Sequence, residues 1–418
     1  MLRNSMENPK QMNLLPHQQV AKDFLLTKRR CILADAPRVG KTLPSAHAAA
    51  HNLPALVVCP AVAKRVWERA FKTIGITATV VMGREMAAGM VTAGVVIVNY
   101  DLLQYMAAIK GWNTLILDES HRIKNHTAKR TKTALKLMKA TSNVYCLSGT
   151  PIPNRPIEIW TALHGLGIYK GSWLSFAYRY AKAWQSPWGL DVSGASNLPE
   201  LKDKMSPYVL RRKRDEVFTS YQQPIVSLIE LDLPVSHREK KFDADALVEN
   251  PNLILAFEGL AEILKEGGIR KVPLALEFIK DKLDDEPDEP LVVMCWHKQV
   301  VAMLEEGLSD YRVGVITGDT PAGKRNNLID EFAAGKLDVM IGNIGAIGEG
   351  IDLSRSSTVI FVESTWATNS LEQASSRVEN INKIGQAPSI YVLTIRNSLD
   401  HRVLSGVLKK MNVIDQII

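Results

Sequence analysis

Short, continuous apolar runs punctuate the first third of the chain: CILAD (31–35), ALVVC (55–59), ATVVM (78–82), GVVIV (94–98), TLILD (114–118) and VYCLS (144–148). The stretches between them carry apolar residues at helical spacing. A strand that is apolar on both faces must be covered on both, so this alternation predicts a parallel sheet flanked by helices. The pattern stops near residue 155. From there to about 280 the sequence is mainly helical in character, as in NLILAFEGLAEILKEG, with aromatic turns such as YAKAWQSPWG. After the acidic, proline-broken segment DDEPDEP (284–290), read as a solvated loop, the alternation resumes: LVVMCW (291–296), RVGVIT (312–317), LDVMIG (337–342), TVIFVE (358–363) and SIYVLTI (389–395). The expected class is α/β, with two parallel-sheet lobes at 1–154 and 285–418 and a mainly helical insertion or bridge at 155–284. No short-period repeat is present.

Composition narrows this only slightly. A chain of 418 residues, 46% hydrophobic and 23% charged, can bury two cores and lacks the signature of disorder. Its 51 Lys and Arg against 44 Asp and Glu leave +7, a surplus that points weakly toward a polyanionic partner such as nucleic acid. Cys31, Cys59, Cys146 and Cys295 lie far apart inside or at the ends of apolar runs, which fits buried reduced thiols and neither a zinc site nor a disulfide framework. The N-terminal MLRNSMENPKQMNLL has no apolar h-region, and no run approaches the ~20 apolar residues of a membrane span. A protein that is neither secreted nor membrane-embedded is expected.

Two local motifs carry chemistry. In ADAPRVGKT (34–42), following a predicted strand and opening a helix, Gly40, Lys41 and Thr42 fill the last three places of a phosphate-binding loop. Backbone N–H groups at the helix start would hold phosphates, Lys41 would reach the β and γ oxygens, and the Thr42 hydroxyl would ligate Mg²⁺. Asp35 stands where the simplest version of the motif has its first glycine. In TLILDESH (114–121) a buried strand ends in two adjacent acids. Asp118 is expected to hold Mg²⁺, commonly through a water, and Glu119 to polarise the attacking water. Together the motifs specify a nucleoside triphosphatase that uses Mg²⁺.

With RIKN (122–125) and LSGTPIPN (147–154) following DESH, the chain resembles helicase superfamily two motors of the Swi/Snf type. LLPHQQ (14–19) is similar to that family's glutamine motif, in which Gln18 would read adenine. VVCPAVAKRVW (57–67), with its Trp67, and VIVNYDLL (96–103) resemble the next segments. FAYRYAKAW (176–184), WGLDVSGASNLPEL (188–201) and YVLRRKRDEV (208–217) resemble the branch containing annealing helicases and fork-remodelling enzymes. VVMCWHKQVV (292–301), ITGDTPAGKR (316–325), IGNIGAIGEGIDL (341–353) and TWATNSLEQASSRVENINKIGQ (365–386) follow in family order.

The resemblance implies two RecA-like lobes with ATP held against the first and completed by the second on closure. It adds Gly350, Asp352 and His121 to the nucleotide site, with His121 and Ser148-Gly149-Thr150 relaying nucleotide state to a DNA groove. It places Lys64, Arg65, Lys124, Asn125, His297, Lys298, Thr320 and Trp366 on DNA phosphates, because a motor stepping over any sequence cannot depend on base edges.

One departure stands out. The family's last motif usually reads Gln-Ala-x-Asp-Arg-x-His-Arg-Ile-Gly-Gln. Here Arg377 fills the first arginine place, the segment to Gly385-Gln386 is three residues longer, and Asn380 or Lys383 falls at the second, depending on the side of alignment. A lysine lacks the planar fork that embraces phosphate oxygens. Since an arginine finger can be worth about 10³ to 10⁵ in turnover, the expectation is retained but weakened hydrolysis, with Lys383 or Arg355 compensating.

The resulting expectation is an ATP-dependent translocase on double-stranded or branched DNA that anneals or remodels forks and junctions, with no wedge element identifiable from sequence. Alternatives left open are a strand-separating DNA or RNA helicase, a nucleic-acid-binding scaffold with a decayed ATPase, and a translocation subunit of a defence complex. The chain reads as almost all motor, which suggests a cytoplasmic bacterial or phage setting rather than a nuclear one. Phage or bacterial replication and repair proteins are the expected partners, and no membrane.

Overall fold

The structure is a computed structural model and describes residues 14–106, 109–187, 189–218, 224–234, 260–347, 351–363, 378 and 387–401. The strands are β1 (Arg30–Leu33), β2 (Ala55–Cys59), β3 (Ala78–Val80), β4 (Val95–Asn99), β5 (Thr114–Asp118), β6 (Asn143–Leu147), β7 (Trp184–Ser186), β8 (Gly189–Asp191), β9 (Val209–Leu210), β10 (Ile225–Leu231), β11 (Leu291–Cys295), β12 (Val313–Ile316), β13 (Val339–Asn343), β14 (Thr358–Phe361) and β15 (Ser389–Ile395). Two parallel sheets result, ordered β3-β4-β2-β5-β6-β1-β9 and β10-β15-β14-β11-β13-β12. β7 and β8 form a separate antiparallel hairpin.

The expected α/β class with two parallel-sheet lobes is what the chain adopts. Each central strand is sealed on both faces: β2, β4, β6 and β11 are buried along their whole length. Each sheet accordingly has two apolar cores, one per face. Trp67 and Phe71 of the helix Lys64–Thr73 fill one face of the first sheet, and Leu137 and Met138 of the helix Lys129–Ala140 the other.

The stretch 155–284 divides between the lobes rather than forming a body of its own among the described residues. Its first part is helical, at Trp160–Leu166, Trp173–Tyr180 and Leu198–Met205. Leu163, Phe176, Tyr180, Leu201 and Met205 bury into the same core as Ile32 and Leu56, and β9 then extends the first sheet beside β1. The second sheet begins at β10, well before residue 285. The long helix Leu260–Asp285 presents Val272, Ala275, Ile279 and Leu283, three to four residues apart, to β11 and β13. An amphipathic stripe of that length must find a sheet to cover, which is why the boundary expected at 284/285 moves toward the N-terminus.

All four cysteines are buried and free. Asp284, Asp285, Glu286 and Asp288 of the acidic run are exposed, while Glu289 accepts the Ser357 hydroxyl proton at 2.6 Å. Among the described residues no helix is long and apolar enough to cross a membrane.

Candidate active site

Strand order puts four loops side by side. β5 registers Asp118 with Leu147 of β6, β1 registers Leu33 with the same Leu147, and β9 registers Leu210 with Leu33. The segments leaving these carboxyl ends are DESH, Ser148-Gly149-Thr150, the loop 34–41 and Arg211–Arg214. Crevices outside the carboxyl ends of parallel strands are where α/β folds bind ligands.

The loop 34–41 turns tightly into the helix Thr42–Ala50. Arg38 and Gly40 take positive φ, 69° and 89°. The φ at Gly40 is one that a residue with a side chain rarely adopts, and a Cβ there would also push on the end of the Gln18 side chain, 2.6 Å away. Gln18 Nε2 donates to Gly40 O at 3.3 Å and His17 Nε2 to Val39 O at 2.9 Å, tying the helix Pro16–Lys28 to the loop. Lys41 Nζ donates to Asp35 O at 2.7 Å and Ala36 O at 3.2 Å, folding back over the loop that precedes it. Burial lowers the Lys41 pKa, and the charges of Glu119, Asp35 and Asp118 oppose that shift.

The two acids occupy different environments. Asp118 Oδ2 accepts from Trp67 Nε1 at 2.7 Å, Oδ1 accepts from Glu119 N at 3.1 Å, and the Tyr100 hydroxyl donates to Asp118 O at 2.7 Å. Burial, with the neighbouring Glu119 charge, pushes the Asp118 carboxyl up to about 7, against the pull of the Trp67 bond and Lys41. A carboxylate held this way favours a cation beside it. Glu119 has φ of 51°, a left-handed conformation uncommon for a residue with a side chain.

Ser148 and Gly149, between the two motifs, touch both. His121 Nδ1 lies 3.0 Å from Ser148 Oγ and 3.4 Å from Glu119 Oε2. Ser148 Oγ also accepts from Thr150 N at 3.1 Å. A Cβ on Gly149 would sit 2.8 Å from Cδ of Pro37 in the phosphate loop. The second lobe reaches the same loop, since Arg38 Nη2 donates to Asp352 Oδ1 at 2.8 Å.

The residues fit a metal-bound triphosphate. Among the described residues no group of three or more His, Cys, Asp or Glu side chains is set to hold a metal alone. Magnesium carried on a nucleotide needs only one or two carboxylates beside the phosphates, and Asp118 with the Thr42 hydroxyl would supply that set.

The DNA-facing candidates are mostly engaged within the chain. Lys64 is bonded within the first lobe. It is the first residue of its helix, and its amine donates to Val81 O, just past β3, at 2.6 Å. Arg65 is exposed. Lys124 Nζ donates to Glu158 Oε1 at 2.9 Å, and Asn125 Oδ1 accepts from Thr127 N at 3.0 Å. His297 Nδ1 lies 2.6 Å from the buried Glu363, whose other oxygen accepts from Trp296 N and His297 N, both at 2.9 Å. Lys298 pairs with Asp319, and Thr320 Oγ1 accepts from Thr317 N at 2.9 Å. Arg355 lies beside β13. Its Nη1 donates to Leu337 O at 3.3 Å, near the amino end of β13. Gly350, Trp366, Arg377, Asn380 and Lys383 lie outside the described residues.

Sequence reasoning missed Arg38, Arg212 and Arg214 as neighbours of the nucleotide loop. Arg212 Nε donates to Asp35 Oδ1 at 3.0 Å and Nη1 to His17 O at 2.7 Å, while Arg214 Nε donates to Pro37 O at 2.7 Å. The LRRKR string was visible, but its partners lie far away in the chain.

The sequence matches known proteins along most of its length. The SNF2-related domain model matches residues 10–254, and the helicase conserved C-terminal domain model matches 274–382. The SWI/SNF-related matrix-associated actin-dependent regulator of chromatin subfamily A-like protein 1 of Xenopus laevis is 30% identical over 97% of this chain and 44% of its own length. The DNA annealing helicase and endonuclease ZRANB3 of Mus musculus is 28% identical over 96% of this chain and 40% of its own. The chain thus spans less than half the length of these relatives. The Sulfolobus solfataricus SWI2/SNF2 ATPase core in complex with dsDNA covers 99% of this chain and 94% of its own, with 20% identity and a TM-score of 0.47.

Proposed function

From the premise that this chain belongs to the SNF2-related family, we propose that it is an ATP-dependent translocase on double-stranded or branched DNA, which anneals or remodels forks and junctions. One observation carries the reading: the phosphate loop, DESH and Ser148-Gly149-Thr150 emerge from adjacent strands and are bonded or packed together. Annealing helicases among the relatives support the fork and junction output.

Lys41 and the backbone N–H groups at the start of the helix Thr42–Ala50 bind the triphosphate, and Gln18 helps to fix the loop around it. Bound Mg²⁺ would supply charge neutralisation on the β and γ oxygens, held by Thr42 and Asp118. Glu119 orients the attacking water, and His121 links that carboxylate to Ser148. A change at the γ-phosphate is thereby felt in the segment leaving β6. Asp352, paired with Arg38, brings the second lobe to the same loop. Arg377 adds the second lobe's positive charge to the γ-phosphate, with Lys383 in place of a second arginine. Slow turnover follows from the point charge replacing a planar fork.

The test is steady-state ATP hydrolysis measured side by side with no nucleic acid, single strand, duplex, fork and RNA, together with displacement of a third strand from duplex DNA. Duplex or forked DNA should stimulate hydrolysis most, and the third strand should be displaced only with hydrolysable ATP. Equal rates under all five conditions would remove the translocase reading. Stimulation mainly by single strands or RNA would favour strand separation.

A further inference from the structure

The segment after β9 runs along the phosphate loop and replaces the strand partner that the loop has lost. Ala34 N donates to Leu210 O at 2.7 Å and Ala36 N to Arg212 O at 3.0 Å, so the sheet's hydrogen bonding continues past the end of β1 into the loop itself. The Arg212 fork grips both oxygens of Asp35, a carboxylate only 1% exposed, and its third nitrogen reaches His17 O. Asp35 O is in turn the carbonyl that receives Lys41 Nζ. Arg214 holds Pro37 O two residues further along. Phe218 closes the segment by packing edge-on against His17, with ring centroids 5.3 Å apart.

Where this segment leads gives it a second role. Phe218 is packed on the first lobe, and Ile225 opens the edge strand of the second sheet. Seven residue steps separate them (225 − 218 = 7), so they can never stand more than about 25 Å apart. Any separation of the lobes beyond that must pull on the segment bonded to the phosphate loop.

We propose that Val209–Phe218 is a positioning strap for the phosphate loop, in which Arg212 sets the loop's geometry for the nucleotide by fixing Asp35 and, through it, Lys41. This rests on the nucleotide-binding role of the loop. Arg212 touches no substrate; it acts through Asp35.

The fork geometry decides the test. Arg212→Ala strands a buried carboxylate and can fail to fold, so two milder variants of the full chain are compared with wild type for ATP KM, kcat and thermal unfolding. Arg212→Lys keeps the charge but cannot hold both Asp35 oxygens and His17 O at once. It is expected to raise KM for ATP about tenfold, with kcat changed far less. The pair Asp35→Asn with Arg212→Gln removes both charges and should unfold near the wild-type temperature while KM stays raised. Wild-type KM in either variant would overturn the strap, and lowered stability at unchanged KM would reduce the pair to a buried ion pair. Binding of a fluorescent ATP analogue separates this result from the functional reading. A wild type that binds the analogue but never hydrolyses ATP defeats the translocase reading, and the strap then stands or falls on a tenfold loss of analogue affinity in the variants. A wild type that does not bind the analogue overturns both.

Discussion

The indole N–H of the fully buried Trp67 donates to Asp118 Oδ2 at 2.7 Å, from a helix following β2 to the end of the neighbouring β5. This bond holds one carboxylate oxygen while Oδ1 accepts from Glu119 N at 3.1 Å, and it opposes the upward push that burial gives Asp118.

Trp67→Phe keeps an aromatic ring in the core and deletes only that donor. A hydrogen bond to a charged group contributes about 1.5–3 kcal/mol. The Mg²⁺ concentration giving half-maximal hydrolysis should therefore rise about tenfold or more. A magnesium titration of ATPase activity checks this, and an unchanged midpoint would leave Trp67 as packing alone.

His121 bridges Glu119 and Ser148, so it joins the water-orienting acid to the segment leaving β6. His121→Ala should leave ATP affinity nearly intact while lowering the DNA-stimulated rate more than the basal rate. The measured quantity is the ratio of the two rates. A ratio equal to wild type would separate His121 from the relay.

Gly149 lies where a methyl group would meet the Pro37 ring at 2.8 Å, a contact that neither a proline ring nor its loop can absorb without moving. Gly149→Ala should cost about 1–3 kcal/mol of stability and raise KM for ATP, because the displaced atoms belong to the phosphate loop. Denaturant unfolding and ATP kinetics read the two effects independently. Normal values for both would mean that the two loops are free to part.

The β-strand cores were legible in the sequence because a strand buried on both faces carries its own signal. TLILD and ALVVC became β5 and β2 with the same bounds. β10 was not legible, since it lies at a sheet edge where Ile225 and Val226 are 59% and 64% exposed and no second neighbour demands an unbroken apolar run. The phosphate loop and the Asp118-Glu119 pair could be read because their chemistry is local. Arg212 and Asp35 are 177 residues apart, and Arg38 and Asp352 are 314 apart. Sheet order, with β9 beside β1, brings the first pair together, and the meeting of the two lobes brings the second; neither is written in the local sequence.

His126 gives the first lobe a pH dependence. Its ring stacks on Trp173 at 4.5 Å and meets Trp160 edge-on at 6.0 Å. Burial lowers its pKa below 6.5, and the Lys132 charge acts in the same direction. The unfolded chain therefore takes up this proton before the folded one does. Stability is full above the ordinary histidine range and declines as pH falls from about 7 through the lowered value. Unfolding midpoints at a series of pH values should show that decline, and His126→Phe should flatten part of it. The same slope in both proteins would place the acid sensitivity elsewhere.

Lys298 opens the helix after β11 and pairs with Asp319, which follows β12; both side chains are well exposed. An exposed pair of this kind contributes little to stability, so a phosphate can displace Asp319 at small cost. If Lys298 grips the DNA backbone, Lys298→Ala should weaken duplex binding evenly across sequences and reduce the slope of log affinity against log salt by about 1. Asp319→Asn should act in the opposite direction, tightening binding at low salt, because it removes both the competing partner and a charge that repels phosphate. Fluorescence anisotropy with one duplex across about 50–200 mM salt measures both effects. An unchanged slope in Lys298→Ala would remove this lysine from the grip, whatever happens to the affinity, because only a lost phosphate contact changes the number of counterions released.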